Sequence, residues 1–334
     1  IILPLGQALG VGQTPGMGYY ILFATLKTKT ACALAGLFLF LAGGLGAETA
    51  KDDFLFLNNG KVRLGVDLSS GGSVFYFSAE PKRRNLLNHH DRGRFVQQSF
   101  YGDKDGSRWA GKPWRWNPVQ GGDDSGNPAK VIEHRHTETT LYVKSTPRHW
   151  AAGYDVTDSA MEQWISLEGD VAEIRYKFTY KGELNHRARH QEMPAVFVDY
   201  AMPNLVYYKG DKPWTGDAVS SIVPGWPNEH HSRTEEWSAF VDETDWGIGV
   251  YTPGTGDITC YRHTGLRDAG PKGSACSYFA PVRKLAITSG VTVVYEVYLS
   301  IGKVDAIRNR FYKIRVETLA KAAKGTEAHG QARD

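Results

Sequence analysis

Short runs in which apolar and polar residues alternate, separated by turn residues, constrain the fold of this chain most. In the first run Val62, Leu64 and Val66 point to one side while Lys61 and Arg63 point to the other, which is the period of a β-strand. Glycine, proline, asparagine and aspartate separate most of the runs, as turns between strands require. Further strands are predicted over 73–77, 139–144, 161–167, 171–180, 195–200, 237–242, 247–251, 258–262, 283–288 and 291–301. The pattern is typical of an all-β fold, a large antiparallel β-sandwich.

One helix is predicted after the last strand. Val304, Ile307 and Phe311 fall on one face at helical spacing, and we expect that face to pack against the edge of the sandwich. Strands do not alternate with long helices, which disfavours a doubly wound α/β fold. No repeat or proline-rich linker divides the chain, so we predict a single domain over 53–320 and a polar tail over 321–334.

The composition before this domain is different. Lys27 and Lys29 precede an apolar run over 31–45, and small residues then lead to Glu48. This order predicts a secretory signal peptide that ends near Ala47, so residues 1–47 are interpreted as upstream residues plus the signal. An uncleaved anchor is the alternative, but the run is short for a membrane span. We therefore expect a secreted or periplasmic protein without stable membrane insertion.

The cysteines and the net charge restrict the partners and the covalent structure. Cys260 and Cys276 are separated by a glycine-rich stretch, and in an exported protein they are predicted to form a disulfide, with two unpaired buried thiols as the alternative. The formal net charge is only +3 and no cluster of lysine and arginine resembles a phosphate-binding face. Nucleic acid is therefore not expected as a partner.

Three short segments carry a resemblance to a known family. They are DRGR at 91–94, NPVQGG at 117–122, and His190 within the sequence RHQE. The first is similar to a Gly-Arg pair after the early strands, and the second to the Asn-His-x-His-Gly-Gly motif of aldose epimerases. His190 stands about where those enzymes carry the histidine that protonates the ring oxygen. The chain thus resembles the galactose mutarotase-like β-sandwich (supersandwich) superfamily, which implies a fold that binds carbohydrate.

The chain also departs from the epimerase pattern at two positions. Gln120 stands where an epimerase has a histidine that contacts the substrate, and Val291 stands where the family carries its catalytic glutamate. Valine cannot accept a proton, so a standard aldose 1-epimerase is not predicted. The resemblance therefore implies the architecture and leaves the reaction open.

The stretch 85–122 holds most of the candidate substrate-binding residues. Sugar recognition needs flat apolar faces and planar hydrogen-bonding groups, and this stretch supplies both, with Trp109 and Trp114 as further aromatic residues. In the alternative interpretation the tryptophans only anchor a long loop to the core, as we expect of at least one of them. The predicted substrate-binding residues are Asn85, Arg92, Arg94, Gln97, Tyr101, Trp116, Asn117, Gln120 and Trp214.

The candidate catalytic residues are His190, Glu192 and Glu236. His190 and Glu192 share strand parity, with His186 on the same side, so they could serve as acid and base. Alternatively, Glu192 fixes the tautomer of His190, or the two form a buried structural hydrogen bond. Glu236 would be the second carboxylate that a hydrolase needs, unless it is simply solvated.

A metal site is the weaker possibility. His134, His136 and Glu138 alternate along one strand face and could ligate zinc. A solvent-facing strand explains the same pattern, so no metal and no cofactor are predicted.

These observations predict a secreted protein that cleaves or remodels an oligo- or polysaccharide. A glycoside hydrolase is slightly favoured over a polysaccharide lyase, for which Arg92 and Arg94 would neutralise a uronate carboxylate. The alternatives are a carbohydrate-binding module without catalysis and a divergent sugar epimerase.

Overall fold

The computed structural model describes residues 53–88, 94–265 and 274–330, with side chains up to residue 320. The predicted signal peptide over 1–47, the substrate-binding candidate Arg92 and the last four residues of the predicted tail lie outside the described residues. The predicted limits of the domain and the predicted export of the chain remain predictions.

Strands are the main regular structure of the described chain, and one α-helix follows the last of them. The first ten strands are β1 (Phe54–Asn58), β2 (Val62–Asp67), β3 (Ser73–Ala79), β4 (Val96–Ser99), β5 (Arg108–Trp109), β6 (Lys112–Pro113), β7 (Pro118–Val119), β8 (Lys130–His136), β9 (Thr140–Thr146) and β10 (Arg148–His149). The next eleven are β11 (Ser159–Glu168), β12 (Val171–Tyr180), β13 (His186–Asp199), β14 (Asn204–Tyr207), β15 (Ser220–Ile222), β16 (Glu229–Ser232), β17 (Trp237–Val241), β18 (Trp246–Tyr251), β19 (Asp257–His263), β20 (Cys276–Ile287) and β21 (Thr292–Lys303). The helix α1 is Val304–Gly330, and a 3₁₀ turn is formed by Leu68–Ser70.

The strands form two large antiparallel sheets, which confirms the predicted fold class. In the first sheet, of ten strands, the order is β1-β2-β3-β4-β13-β20-β19-β16, with β7 and β10 attached at β4. In the second sheet, of nine strands, the order is β15-β14-β17-β18-β21-β12-β11-β9-β8. The short pair β5–β6 stands apart as a hairpin.

The main core lies between the two sheets. Phe100, which follows β4, stacks on Phe178 of β12 with ring centroids 4.0 Å apart, and Phe240 of β17 lies 5.7 Å from Phe279 of β20. The alternation read from the sequence has its cause here, because Leu64 and its apolar neighbours on β2 are buried in this core. Burial of each such side chain stabilises the fold by roughly 1.5–3 kcal/mol.

The helix lies on the outer face of the second sheet, so its predicted position at the sandwich edge is wrong. Ile307 and Phe311 pack with Trp237 in a separate apolar cluster over β17, β18 and β21. The helix lies close to the sheet at Gly249, where an added Cβ atom would come within 2.3 Å of the Ile307 side chain. Among the described residues, no helix has both the length and the apolar character of a bilayer span.

The predicted disulfide is also wrong in this structure. Cys260 lies opposite Phe279 in the pairing of β19 with β20, whereas Cys276 lies opposite His263. Three strand positions separate the two cysteines by about 10 Å, beyond the span of about 7 Å that a disulfide bridges. Both cysteines are buried, Cys260 in the main core and Cys276 in a cluster on the opposite face of the sheet.

Candidate functional site

A cavity of about 370 Å³ lies on the face of the first sheet that points away from the main core. Strands β4, β13, β19 and β20 supply its floor, through Ser99, Phe197, Tyr261 and Tyr278. A second cavity of about 370 Å³ shares His190 and two other residues with it and continues towards the edge strand β16. The two together form a groove of the size of known ligand sites.

Three tryptophans form one wall of the cavity. Trp109 of the β5–β6 hairpin lies 4.9 Å from Trp114 and 6.1 Å from Trp150, measured between ring centroids. The loop that carries Trp109 and Trp114 is attached to the rest of the sandwich by the buried His149, whose Nε2 lies 2.7 Å from a carboxylate oxygen of Asp105. The wall therefore offers flat indole faces of the kind that stack on the C–H side of a sugar ring.

Glu192 is the carboxylic acid of the cavity. Its Oε1 accepts a hydrogen bond of 2.5 Å from the hydroxyl of Tyr278, and the hydroxyls of Tyr101 and Ser99 interact with the same carboxyl group. Burial raises the pKa of Glu192 above its usual 4.5, although these hydroxyls oppose the shift by stabilising the carboxylate. A carboxyl group in this setting holds its proton to higher pH than a solvated one and can deliver it to a bound ligand.

His190 lies in the same cavity, two residues before Glu192 on β13. His190 and Glu192 lie on the same face of β13, as their strand parity predicts, whereas His186 does not. The pairing of β13 with β20 shifts between His186 and Arg189, and this irregularity turns the His186 ring towards the core. There it stacks on Trp116 with ring centroids 4.6 Å apart.

The cavity is rich in cationic groups. Arg94 lies over the ring of Trp150 at 5.6 Å, and Arg115 lies over Trp114 at 5.7 Å. His190 and His230 also line the space. Within the described part of the chain, Glu192 is the only carboxylate among the lining residues.

Three amide side chains complete the polar lining. Gln97 is buried and its Oε1 accepts from Ser73 Oγ at 3.3 Å. Asn117 donates to the carbonyl oxygen of Phe100 at 2.8 Å. Asn228 donates to Thr259 Oγ1 at 3.0 Å. Four predicted substrate-binding residues therefore line the cavity: Arg94, Gln97, Tyr101 and Asn117.

Three other predicted substrate-binding residues lie outside the cavity and stabilise the fold instead. Both ends of the Asn85 amide are bonded to the main chain, since its Oδ1 accepts from two backbone N–H groups and its Nδ2 donates to Phe75 O. Gln120 is buried between the sheets, where it donates to Gln163 Oε1 at 2.9 Å. Trp116 belongs to the main core, as expected of at least one tryptophan. None of the three lines the described cavity.

Two predicted site residues lie next to the second sheet. Trp214 stacks on Tyr312 of α1 with centroids 6.2 Å apart. Glu236 directly precedes β17 and is not among the described residues that line the cavity. The geometry therefore does not bring Glu236 together with His190 and Glu192.

Sequence reasoning missed several residues of the cavity. They are Trp150, Asn228, His230, Tyr261 and Tyr278. A signal was present for Tyr261, because it falls on the outward parity of a predicted strand whose inward positions are Ile258 and Cys260. A large aromatic residue at an outward position of a strand indicates a ligand-facing surface or a second packing layer.

A group of three side chains outside the main cavity could hold a metal ion. Ligand atoms of Glu229, His231 and Cys260 all lie within 4.8 Å of one another. The carboxylate and the ring already interact at 3.1 Å, and burial raises the pKa of the Cys260 thiol to about 12. On the strand suspected from sequence, His136 is exposed and its Nε2 lies 3.0 Å from the carbonyl oxygen of Phe56. The prediction that no metal is required remains a prediction.

Comparison with known proteins gives likeness at the level of fold. No protein-family model matches the sequence, and no curated protein matches it significantly. The chain is similar to a galactose mutarotase-like protein from Lactobacillus casei, with a TM-score of 0.48, 10% identity, and 74% of this chain and 99% of that chain covered. It is similar to a galactose mutarotase related enzyme from Lactobacillus acidophilus, with a TM-score of 0.47, 8% identity and coverage of 74% and 97%.

A third similar structure is the 4-alpha-glucanotransferase from Thermococcus litoralis. The TM-score is 0.46 and the identity 12%, with 74% of this chain and 37% of that chain covered. The two antiparallel sheets themselves show the β-sandwich, and the relation to the galactose mutarotase-like superfamily read from the motifs stays a resemblance.

Proposed function

We propose that this chain is an exported carbohydrate-active enzyme that cleaves an oligo- or polysaccharide in the cavity of the first sheet. The observation that carries the proposal is the Glu192 carboxyl group, held among the hydroxyls of Tyr278, Tyr101 and Ser99 in an aromatic cavity. A binding module needs the aromatic wall and has no need for a carboxylic acid whose pKa is raised by burial.

Glu192 is assigned the role of proton donor to the leaving sugar oxygen. Its raised pKa favours the protonated form, and a general acid works best when its pKa is near the working pH. His190, two residues away on the same face of β13, is assigned the role of proton acceptor. Two positions along a strand separate their Cα atoms by roughly 7 Å, which leaves room for a sugar ring between the side chains.

The predicted role of Glu236 is given up, because the cavity offers it no access to the same substrate. A hydrolase with paired carboxylates would need a second one beside Glu192. Among the described lining residues there is none, so the slight preference for a hydrolase loses its support.

The experiment is a screen of neutral and uronic-acid polysaccharides for new reducing ends. The wild-type protein is compared with Glu192→Gln and with the matched control Glu236→Gln. We expect turnover of at least one glycan, a loss of about 10²- to 10⁴-fold in Glu192→Gln, and activity of the control within about twofold of wild type. Binding of a glycan without turnover in any sample would overturn the enzyme proposal in favour of a binding module.

A further inference from the structure

We infer that Glu229, His231 and Cys260 bind one zinc ion at the edge of the sandwich. This site lies outside the cavity of the first sheet and is independent of the proposed function. The observation behind it is that a carboxylate, an imidazole and a thiol, three different kinds of metal ligand, have their ligand atoms within 4.8 Å of one another. Within the described part of the chain, no other group of three such side chains comes together in this way.

Strand pairing brings the three side chains together. Glu229 and His231 are two positions apart on β16, so their side chains lie on the same face of that strand. The pairing of β16 with β19 places Cys260 directly opposite Glu229. Cys260 belongs to the main core, so this face is the one turned towards the second sheet. His230 has the opposite parity and lines the cavity, so the two consecutive histidines serve opposite faces of the first sheet.

Neighbouring groups orient two of the ligands. The hydroxyl of Tyr207, on β14 of the second sheet, lies 3.2 Å from Nδ1 of His231, which leaves Nε2 of that ring as the ligand atom. This Nε2 lies 3.1 Å from Oε2 of Glu229. The other carboxylate oxygen, Oε1, accepts from the backbone N–H of Gly225 at 2.6 Å. Histidines and carboxylates that bind metals are held by hydrogen bonds of this kind on the atom that faces away from the ion.

The separations and the chemistry of the donors suit zinc. Zinc bonds of about 2.0–2.3 Å in a tetrahedral arrangement place neighbouring ligand atoms roughly 3.3–3.7 Å apart. The 3.1 Å between Glu229 and His231 and the limit of 4.8 Å for the whole group lie on either side of that range, so small side-chain rotations complete the site. A thiolate and an imidazole favour zinc over calcium or magnesium. Cys260 binds as the thiolate, and its proton is released to solvent when the ion binds.

A zinc ion can reach this site from solvent. Strand β16 is the last strand of the first sheet, and the side chains of Glu229 and His231 are 38% and 26% exposed, while Cys260 is buried. Three protein ligands leave the fourth position of a tetrahedral zinc ion to water. The ion would tie the edge strand β16 to β19 and, through His231 and Tyr207, to the second sheet, so we expect it to stabilise the fold.

The test measures metal binding by the full chain directly. The protein is treated with a chelator, freed of it by dialysis, and titrated with Zn²⁺ by calorimetry and with Co²⁺ by absorption spectroscopy. We expect one ion per chain and, with Co²⁺, the charge-transfer band of a bond between thiolate and cobalt, which reports a cysteine ligand. At a zinc concentration of about 100 times Kd, the melting temperature should rise by about 4–8 °C.

Variants locate the ion. Cys260→Ala and His231→Gln should each weaken zinc binding by more than the roughly 10- to 100-fold that follows the loss of a group hydrogen-bonded to a ligand, and Cys260→Ala should abolish the charge-transfer band. Glu229→Gln changes a partly exposed side chain and tests the site without altering the core. The matched controls are Cys276→Ala, in the cluster on the opposite face of the sheet, and His230→Gln, on the opposite face of β16. Both should keep the band and the affinity.

Several outcomes would overturn the inference. Zinc binding that persists unchanged in Cys260→Ala and His231→Gln would place the ion elsewhere, and binding without the charge-transfer band would exclude the thiolate. No uptake of zinc by the folded wild-type chain would rule out the site altogether. Thermal unfolding without metal shows whether each variant folds, and an equal loss of binding in Cys276→Ala would show that a general weakening of the core is the cause. None of these measurements uses glycan cleavage, so their failure leaves the proposed function standing.

Discussion

Two glutamates, one fully buried beside the second sheet and one part-buried in the cavity of the first sheet, are held in opposite ways. Glu235 beside the second sheet is fully buried. Its carboxylate accepts hydrogen bonds from Arg308 Nε at 2.9 Å, from Arg308 Nη2 at 2.5 Å and from Trp237 Nε1 at 2.6 Å. The backbone N–H of Trp214 donates to it at 2.6 Å. Among the described residues, the partners of Glu192 in the cavity are neutral hydroxyl groups.

The difference separates a structural carboxylate from a reactive one. Glu235 has a cation and four donor contacts, so its charge is neutralised and its oxygens are occupied. Glu192 is part-buried, no described cation is bonded to it, and desolvation raises its pKa. A charged and saturated carboxylate anchors α1 to the second sheet, whereas a carboxyl group that keeps its proton can exchange it with a ligand.

The largest expected effect is on stability, at Glu235. Glu235→Gln leaves the buried guanidinium of Arg308 without its counter-ion, and we expect a loss of about 3–5 kcal/mol in the free energy of unfolding. Denaturant titration measures it. The double variant Glu235→Gln with Arg308→Met should lose less than the sum of the two single variants, because no unpaired buried charge then remains. Additive losses would show that the ion pair is not the cause.

The next effect is on the pH dependence of activity, at Tyr278. Its hydroxyl bonds to Glu192 and lowers the pKa of that carboxyl group, against the larger effect of burial. Tyr278→Phe should therefore raise the Glu192 pKa further. Since the protonated form is the donor, the high-pH limb of kcat/KM should move upward by up to about one pH unit, the equivalent of one neutral hydrogen bond. A downward shift would contradict the assigned role.

Tyr176→Phe is the matched control for that profile. Tyr176 is a fully buried tyrosine of β12 whose ring stacks on Tyr295 in the main core. Its hydroxyl lies outside the described cavity lining. The same chemical change at this position should leave the pH profile of activity where it is in the wild type.

A third effect concerns stability as a function of pH. Because the folded-state pKa of Glu192 is raised above 4.5, the folded state binds a proton more tightly than the unfolded state does. The stabilisation of the folded state by this tighter proton binding is fully present below pH 4.5. It is lost as the pH rises through the folded-state pKa. Glu192→Gln cannot ionise, so its stability relative to wild type should rise across that window, at most about 1.4 kcal/mol per pH unit. A constant difference between the two proteins would show that the pKa is not raised.

The sequence predicts the sheets well and the site only in part. Strand β12 was predicted with the bounds that the structure has, 171–180, because apolar and polar residues alternate along it between clear turns. Strand β4 was missed, since its residues Gln97, Gln98 and Ser99 are polar although buried. Gln98 donates across to the second sheet at Glu162 O, and the other two line the cavity.

What could not be predicted depends on the pairing of distant strands. Strand parity brought His190 and Glu192 together, but a shift in the pairing with β20 removed His186 from the same face. Tyr278 and Tyr261 reach Glu192's side of the sheet only because β19 and β20 pair beside β13. No local pattern records such neighbours, so the partners that raise or lower the pKa of Glu192 emerge only from the assembled sheet.

The smallest expected effect is at Glu236, the sequence neighbour of Glu235. Burial lowers the pKa of Arg233 to about 9, and the negative charges of Glu236 and Asp257 oppose that shift. The Arg233 guanidinium is bonded to Ser238 Oγ at 3.1 Å and to Thr255 O at 2.6 Å. Glu236→Gln removes one of two carboxylates that act on it, and we expect a loss below about 1 kcal/mol in the free energy of unfolding.

That small loss would complete the comparison of carboxylates. Glu235 and Glu236 are adjacent and chemically identical, yet only Glu235 is fully buried against Arg308. A loss in Glu236→Gln as large as that in Glu235→Gln would mean that the segment before β17, and not the ion pair, determines stability there. A small loss with unchanged turnover would leave Glu192 as the one of these three glutamates whose carboxyl group acts on a ligand, because it alone lines the cavity and no described cation is bonded to it.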